Sequence, residues 1–328
     1  MKVGLHFSCT AVDQSSWPDL YDAALTQAEI ADELGYDSAV VSEHHFKAEG
    51  WIPSPFVLCG AIAARTRNLR IGTDIVILPF QHPIKIAEDV LTLDNLSRGR
   101  AVLGAGMGHS AAEFEALQIP YRQRVSRSEE ALEVIRKVFT TPTVSHQGKY
   151  FQFSGITVTP RPVQQPAPPI WYGAISPAGA RRAARFADAL VIGPSLSFAE
   201  MLDVREAYHD ELRSLGRDPE DGEIIVRREA YVAADSRDAW TDGLAALKYQ
   251  ASRIYADFPA DGTDADFREF SATRYLVGSP DEVYEQCLPI RDKLGAGNLL
   301  LRIQLPGLDD DLALAATRLF GEQVLPRL

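Results

Sequence analysis

Ser38-Ala39-Val40-Val41-Ser42-Glu43-His44-His45-Phe46 decides the reading of this chain. The first four residues form a short apolar run of strand character, and the next four bring an acid and two imidazoles. In a parallel barrel, side chains at the carboxyl ends of the strands line the cleft and carry the chemistry. Carboxylate and imidazole there can hydrogen-bond, exchange protons near neutral pH or hold a metal ion. The block is the first candidate for a site.

Upstream, Lys2 to Ser8 reads as a strand and about Asp19 to Leu34 as a helix closed by Gly35, with Ser16, Pro18 and Asp19 at its start. Downstream, Ser54 to Thr66 reads as a helix and Arg70 to Leu78 as the third strand. Pro83 to Leu96 has proline in its first helical turn, and Ala101 to Ala105 is a fourth strand. Ser126 and Glu129 have capping-box spacing and open a helix to Phe139. Further strands are predicted over Ile170–Gly173, Ala189–Ile192, Ile224–Ala233 and Asn298–Ile303. Helices begin at Ser176-Pro177, Ser197, Ser279-Pro280 and about Asp310.

Strands alternating with helices in this way predict a single (β/α)8 TIM barrel spanning 1–328. A Rossmann fold would place GxGxxG after the first strand, and none is there. Two stretches break the rhythm and read as insertions, at about 140–169 and 255–275. The first is proline-rich with a hairpin pattern around Gly148; the second mixes Asp and Gly with Phe258, Phe267 and Phe270. Each is either a lid over the site or a tolerated surface addition.

Composition narrows the function. A net charge of −12 argues against nucleic-acid binding, which needs a basic face. No apolar run approaches the ~20 residues of a membrane span. The chain opens directly into a strand pattern, so a cytoplasmic protein is expected. Cys9, Cys59 and Cys287 lie far apart and form no CxxC pair, which speaks against a disulfide framework or zinc knuckle. The helix from Ser54 to Thr66 is apolar on nearly every face, and homodimerisation through it is expected.

Glu43-His44-His45-Phe46, Arg70-Ile71-Gly72-Thr73, Leu78-Pro79, His82-Pro83 and Ala87-Glu88-Asp89 together resemble the bacterial luciferase-like flavin oxidoreductases. Leu93-Asp94, Ser97, Gly99-Arg100 and Gly104-Ala105-Gly106 extend the resemblance, which is strongest from Met1 to about Phe139, where the spacing resembles the luciferase α subunit. It implies a flavin at the carboxyl ends of the barrel strands. It also implies reduced FMN delivered by a separate flavin reductase and reacting with O2 to give a flavin hydroperoxide that oxidises a small organic substrate. A sister group uses the deazaflavin coenzyme for hydride transfer without O2, and the luciferase β chain keeps the barrel without the chemistry.

The resemblance makes His44 the catalytic residue, a donor and proton shuttle beside the flavin. His45 should point the other way along an extended chain and be structural. Glu43 either accepts a hydrogen bond from a backbone or flavin group, or pairs with an arginine. A metal held by Glu43, His44 and His45 is disfavoured, because adjacent residues seldom converge on one ion. Asp74 and Ile75 occupy the place that in this family lies under the flavin ring, sometimes through a cis peptide. The alternative for Asp74 is a helix cap. The phosphate is expected at the helix start formed by Gly173, Ala174, Ile175 and Ser176, where free N–H groups favour an anion. Arg127, or Arg124 in its stead, would assist, unless either pairs on the surface with Glu130. Gly104 and Gly106 lie near the ring. Gly106 and Met107 stand where the luciferase α subunit carries a reactive cysteine and an arginine.

Overall fold

The computed structural model describes residues 1–12, 16–47 and 50–328. Its strands are β1 (Lys2–Phe7), β2 (Ser38–Val41), β3 (Arg70–Thr73), β4 (Val76–Ile77), β5 (Ala101–Gly106), β6 (Thr143–Gln147), β7 (Gln152–Thr157), β8 (Ile170–Ala174), β9 (Ala189–Ile192), β10 (Glu223–Val232), β11 (Leu276–Gly278) and β12 (Asn298–Arg302). Its helices are α1 (Trp17–Leu34), α2 (Pro55–Arg65), α3 (Pro83–Leu96), α4 (Ala111–Ala116), α5 (Arg124–Thr140), α6 (Pro177–Phe186), α7 (Phe198–Ser214), α8 (Ser236–Tyr249), α9 (Asp264–Ser271), α10 (Pro280–Asp292) and α11 (Asp310–Gln323).

β1, β2, β3, β5, β8, β9, β10 and β12 form a closed parallel ring: β9 pairs with β10, β10 with β12, and β12 with β1. This is the expected (β/α)8 barrel. β6 and β7 pair antiparallel outside the ring, and β11 extends only the carboxyl end of β10.

Alternation along each strand sorts side chains between two cores. One set faces the helices and joins the large outer core. The other set fills the barrel with Val40, Val102, Trp171, Ala189, Val191, Ile225 and Leu300. Toward the carboxyl ends the inward positions change character, to His6, Asp74, Arg227, Glu229 and Arg302. Closing the barrel does not require these charges. A buried polar group left unpaired costs about 1–3 kcal/mol, whereas an aliphatic one there would be favourable. The polar layer is therefore a functional expense at the end where barrel sites form.

The expected third strand is interrupted. Ile71 pairs with Ala101 but Val76 with Ala105, so five steps along this strand match four along β5. The extra residue is absorbed at Asp74-Ile75, which is joined by a cis peptide bond. A second correction concerns Ser126, which caps nothing. α5 begins two residues earlier, and the Ser126 hydroxyl lies 2.7 Å from the Tyr150 hydroxyl of the hairpin. α4, α8, α9 and β11 were not anticipated; each is short, or polar enough to lack a clear period.

The two irregular segments are ordered structures. The hairpin is strapped to α5 by Glu130, whose carboxylate accepts from the N–H groups of Lys149, Tyr150 and Phe151. In the second segment Phe258, Phe267, Phe270 and Tyr275 pack ring against ring, with Phe267 fully buried. Phe258, Phe267 and Tyr275 belong to the large outer core, with Phe270 packed against it. Tyr255, at the end of a π-helical turn over Gln250–Tyr255, is the one that reaches the barrel interior.

Candidate active site

His44 follows β2 directly, and its Nδ1 lies 3.2 Å from Glu113 Oε1. The same carboxylate oxygen accepts from the backbone N–H of His45 at 3.3 Å. Glu113 sits on the six-residue helix α4, fixed by the buried Phe114 ring against Phe80 and Tyr121. Gly108 at φ 71° lets that helix approach, since a Cβ there would lie 3.0 Å from Cε2 of Phe114. Burial works against the Glu113 charge, but the bonds from His44 and His45 outweigh it and hold the carboxyl below its ordinary range. A carboxylate that accepts from Nδ1–H leaves Nε2 as the nitrogen free to give or take a proton. Trp51 and His109 pack edge-on against the His44 ring, at 4.5 and 5.7 Å.

Glu43 and His45 form a separate, structural pair. His45 Nε2 lies 2.9 Å from Glu43 Oε1, and Glu43 Oε2 accepts from Ile77 N at 2.6 Å. Glu43 is thus a buried clamp between β2 and β4, paired with a histidine rather than an arginine. The bond to Glu43 raises the His45 pKa, against the opposing effect of burial. With His44 turned to Glu113, the three residues do not converge on one point.

Inside the mouth lies a second cluster. Asp74 Oδ2 is 3.6 Å from Arg227 Nη1 and 3.8 Å from His6 Nε2, and caps no helix. His6 Nε2 lies 3.1 Å from both the Asp74 carbonyl and Arg227 Nη1, and one imidazole tautomer can satisfy only one of them. Burial, then the charges of Arg227 and Arg302, drive the His6 pKa well down, so His6 is neutral. Burial also raises Asp74, against the pull of Arg227. Tyr255 accepts from Arg227 Nη2 at 3.0 Å and donates a short hydrogen bond to Glu229. Among the described residues, His6 Nδ1, Arg227 Nε, Glu229 Oε2, and Nε and Nη1 of Arg302 are buried without a hydrogen-bond partner, and Asp74 Oδ2 has only its ion-pair neighbours.

The remaining sequence-predicted residues divide. A Cβ on Gly106 would lie 2.7 Å from Ile75 Cδ1, and one on Gly173 2.9 Å from Ile75 Cγ2. These glycines therefore make room for Ile75, which stays half-buried at the mouth. Gly104 has another duty. A Cβ there would strike the Thr73 carbonyl, so it serves close packing of β5 on β3 and lines no cradle. Ala174 is buried against Gly179 of α6 and points into the outer core. Ser176 caps α6, accepting from Gly179 N at 3.3 Å. Arg127 lies over the Phe151 ring at 4.9 Å, and Arg124 over Tyr121 at 3.9 Å. Glu130 pairs with His146 and the hairpin, not with either arginine.

Sequence reading missed Glu113, Trp51, His6, Arg227, Glu229, Tyr255 and Arg302. A signal existed for three of them: Arg227 and Glu229 are alternate charged positions late in an apolar strand, and Arg302 ends the run Leu299-Leu300-Leu301. For Glu113 and Tyr255 no local signal exists.

A closed barrel whose carboxyl-end mouth holds a carboxylate-anchored histidine above a buried charged layer is a barrel site built for proton-coupled chemistry. The chain belongs to the luciferase-like monooxygenase family, matched over residues 1–296. It is 30% identical, over 69% of its length, to the oxygenase component of the flavin-dependent trigonelline monooxygenase of Acinetobacter baylyi, and that match covers 63% of the relative. It is also 30% identical to the F420-dependent glucose-6-phosphate dehydrogenase of Nakamurella multipartita, over 92% of this chain and 91% of that one. The crystal structure of monooxygenase RslO1 from Streptomyces bottropensis superimposes with a TM-score of 0.90 at 30% identity, covering 100% of this chain and 99% of that one. Flavin-dependent and F420-dependent oxidoreductases thus both stand among its relatives. No helix among the described residues is long and apolar enough to cross a membrane.

Proposed function

We propose that this chain is the oxygenase of a two-component flavin monooxygenase, taking reduced FMN from a separate flavin reductase and using O2 to oxidise a small organic substrate. The observation that carries the reading is His44, anchored on Glu113 at the carboxyl end of β2, together with Ile75 and the two glycines that accommodate it at the end of the third strand. The residues present fit a flavin. Ile75 offers half-buried apolar support, and the buried Asp74 carboxylate with the polar atoms of Arg227 and His6 that lack a hydrogen-bond partner among the described residues suit the polar edge of a ring. The phosphate would be held at the start of α6 by Ser176 and the first-turn N–H groups, where the helix dipole favours an anion. Arg127, whose Nε is buried without a partner, is proposed as an added cation for it.

When bound, the reduced flavin supplies the electrons that activate O2. His44 holds or delivers the proton that the reacting oxygen requires, and Glu113 keeps its ring oriented and stabilises the imidazolium. Trp51 and Ile75 limit water at that point. Both the RslO1 likeness and the trigonelline monooxygenase likeness support the oxygen-using reading. The glucose-6-phosphate dehydrogenase likeness supports a second one, hydride transfer with F420. A partner subunit without chemistry would have no use for the His44–Glu113 pair.

Anaerobic titration with reduced FMN and with reduced F420, followed by admission of O2, separates these readings. Saturable binding of reduced FMN with O2 uptake is expected; binding of reduced F420 alone would overturn the proposal. The enzyme is further proposed to work in the cytoplasm as a homodimer through α2, on which Val57 is 75% exposed while Phe56 and Ala61 are half-buried. A monomeric mass by light scattering would refute the dimer.

A further inference from the structure

We propose that Arg302 anchors an anionic group of the molecule oxidised at the mouth, a carboxylate or a sulfonate, so that the substrates are small organic acids. The inference rests on the mouth being the reaction site.

Three arginines are buried or nearly so at the carboxyl end of the barrel, and two are provided for. Arg227 lies beside the Asp74 carboxylate at 3.6 Å and hydrogen-bonds Tyr255. Arg228 points outward and donates to the carbonyls of Pro194 and Leu196. Arg302 is 0% exposed, donates from Nη2 to Thr10 Oγ1 at 2.6 Å and lies within reach of the Tyr255 hydroxyl. Among the described residues its Nε and Nη1 have no hydrogen-bond partner, and no carboxylate forms an ion pair with it. Tyr255 and Glu229 lie near enough to favour its charge, but burial prevails and lowers its pKa.

A guanidinium offers five donors in a planar fork shaped for a carboxylate or a tetrahedral oxyanion. Packing alone does not explain one here, because Leu300 fills the inward position one layer below without that cost. The missing partner is a ligand's anion. Its place is defined by Trp51, whose ring lies 5.3 Å from the guanidinium carbon and 4.5 Å from the His44 ring. Arg302 and His44 therefore flank one indole. An acid held on Arg302 would lay its apolar body along Trp51 and present its far end toward His44. The flavin phosphate is the other possible source of an anion, and the assay distinguishes the two.

The test titrates flavin-free protein with benzoate and with benzamide, reading tryptophan fluorescence, with Trp51→Phe identifying the reporter. Benzoate should saturate, and benzamide should bind at least about tenfold more weakly. Arg302→Lys keeps the charge but loses the fork, and should weaken benzoate roughly tenfold while leaving oxidised FMN affinity unchanged. Arg302→Met should abolish the benzoate response. Equal responses to benzoate and benzamide, or unchanged benzoate binding in Arg302→Lys, would overturn the proposal. Loss of FMN affinity together with benzoate affinity would do the same, by assigning the anion to the flavin. If Arg302→Met does not fold, the wild-type pair and Arg302→Lys still decide. Failure of the wild type to bind any flavin would strike the proposed function alone, since the benzoate titration needs none.

Discussion

Replacing Glu43 by glutamine tests the clamp that seats the His44 loop. The wild-type carboxylate is 1% exposed and accepts two bonds, from Ile77 N at 2.6 Å and His45 Nε2 at 2.9 Å. A glutamine carbonyl can keep the bond from Ile77 N, and its NH2 group can donate to His45 Nε2 only while that imidazole is neutral. A charge-assisted bond worth about 1.5–3 kcal/mol is thereby exchanged for a neutral one worth about 0.5–1.5 kcal/mol. A net destabilisation of about 1–2 kcal/mol follows, largest where His45 is protonated. The pH dependence has a definite sign. His45 titrates above its ordinary value in the folded protein, chiefly through the Glu43 bond. Its contribution is therefore complete below the unfolded value of about 6.5 and fades as pH rises through the higher folded value. Urea unfolding at about pH 6 and pH 8.5, with hydrogen exchange at the Ile77 amide, measures both effects. A Glu43→Gln protein within about 0.5 kcal/mol of wild type, or one with the wild-type pH slope, would refute the reasoning.

Glu113→Gln should fold, since its buried Oε2 has no partner to lose, yet lower kcat/KM by about 10- to 100-fold through a misheld His44; unchanged turnover would remove Glu113 from the site. Gly173→Ala should displace Ile75, cost about 1–3 kcal/mol and weaken flavin binding, as read by FMN fluorescence quenching. Gly104→Ala should instead fail to fold or lose several-fold more stability, because its obstacle is backbone. Burial lifts the Asp257 carboxyl to about 6, so the native state binds its proton more tightly than the unfolded chain does. Its effect on stability is absent at low pH and turns unfavourable as pH rises from about 4 through about 6. Asp257→Asn should then stabilise the protein by about 1 kcal/mol at pH 8, after discounting for partial exposure, with no gain at pH 3.

The sequence by itself determined the eight barrel strands, because each is a short apolar run between helical patterns and that signal is local. It also placed His44 at a strand end and Asp74-Ile75 at the barrel mouth, through motifs that resemble a family. What it left open were the partners. Glu113 is 69 residues from His44, on a helix too short to announce itself. Glu43 looked as suited to a flavin as to a backbone amide until Ile77 came beside it. Gly104 and Gly106 looked alike, yet one abuts a carbonyl and the other a side chain, a difference set by the bulge in the third strand. Only closure of the ring gathered Arg227, Glu229 and Arg302 with His6 and Asp74 in one layer. Strand identity depends on neighbours along the chain, whereas the charge state and duty of a buried group depend on what the fold sets against it.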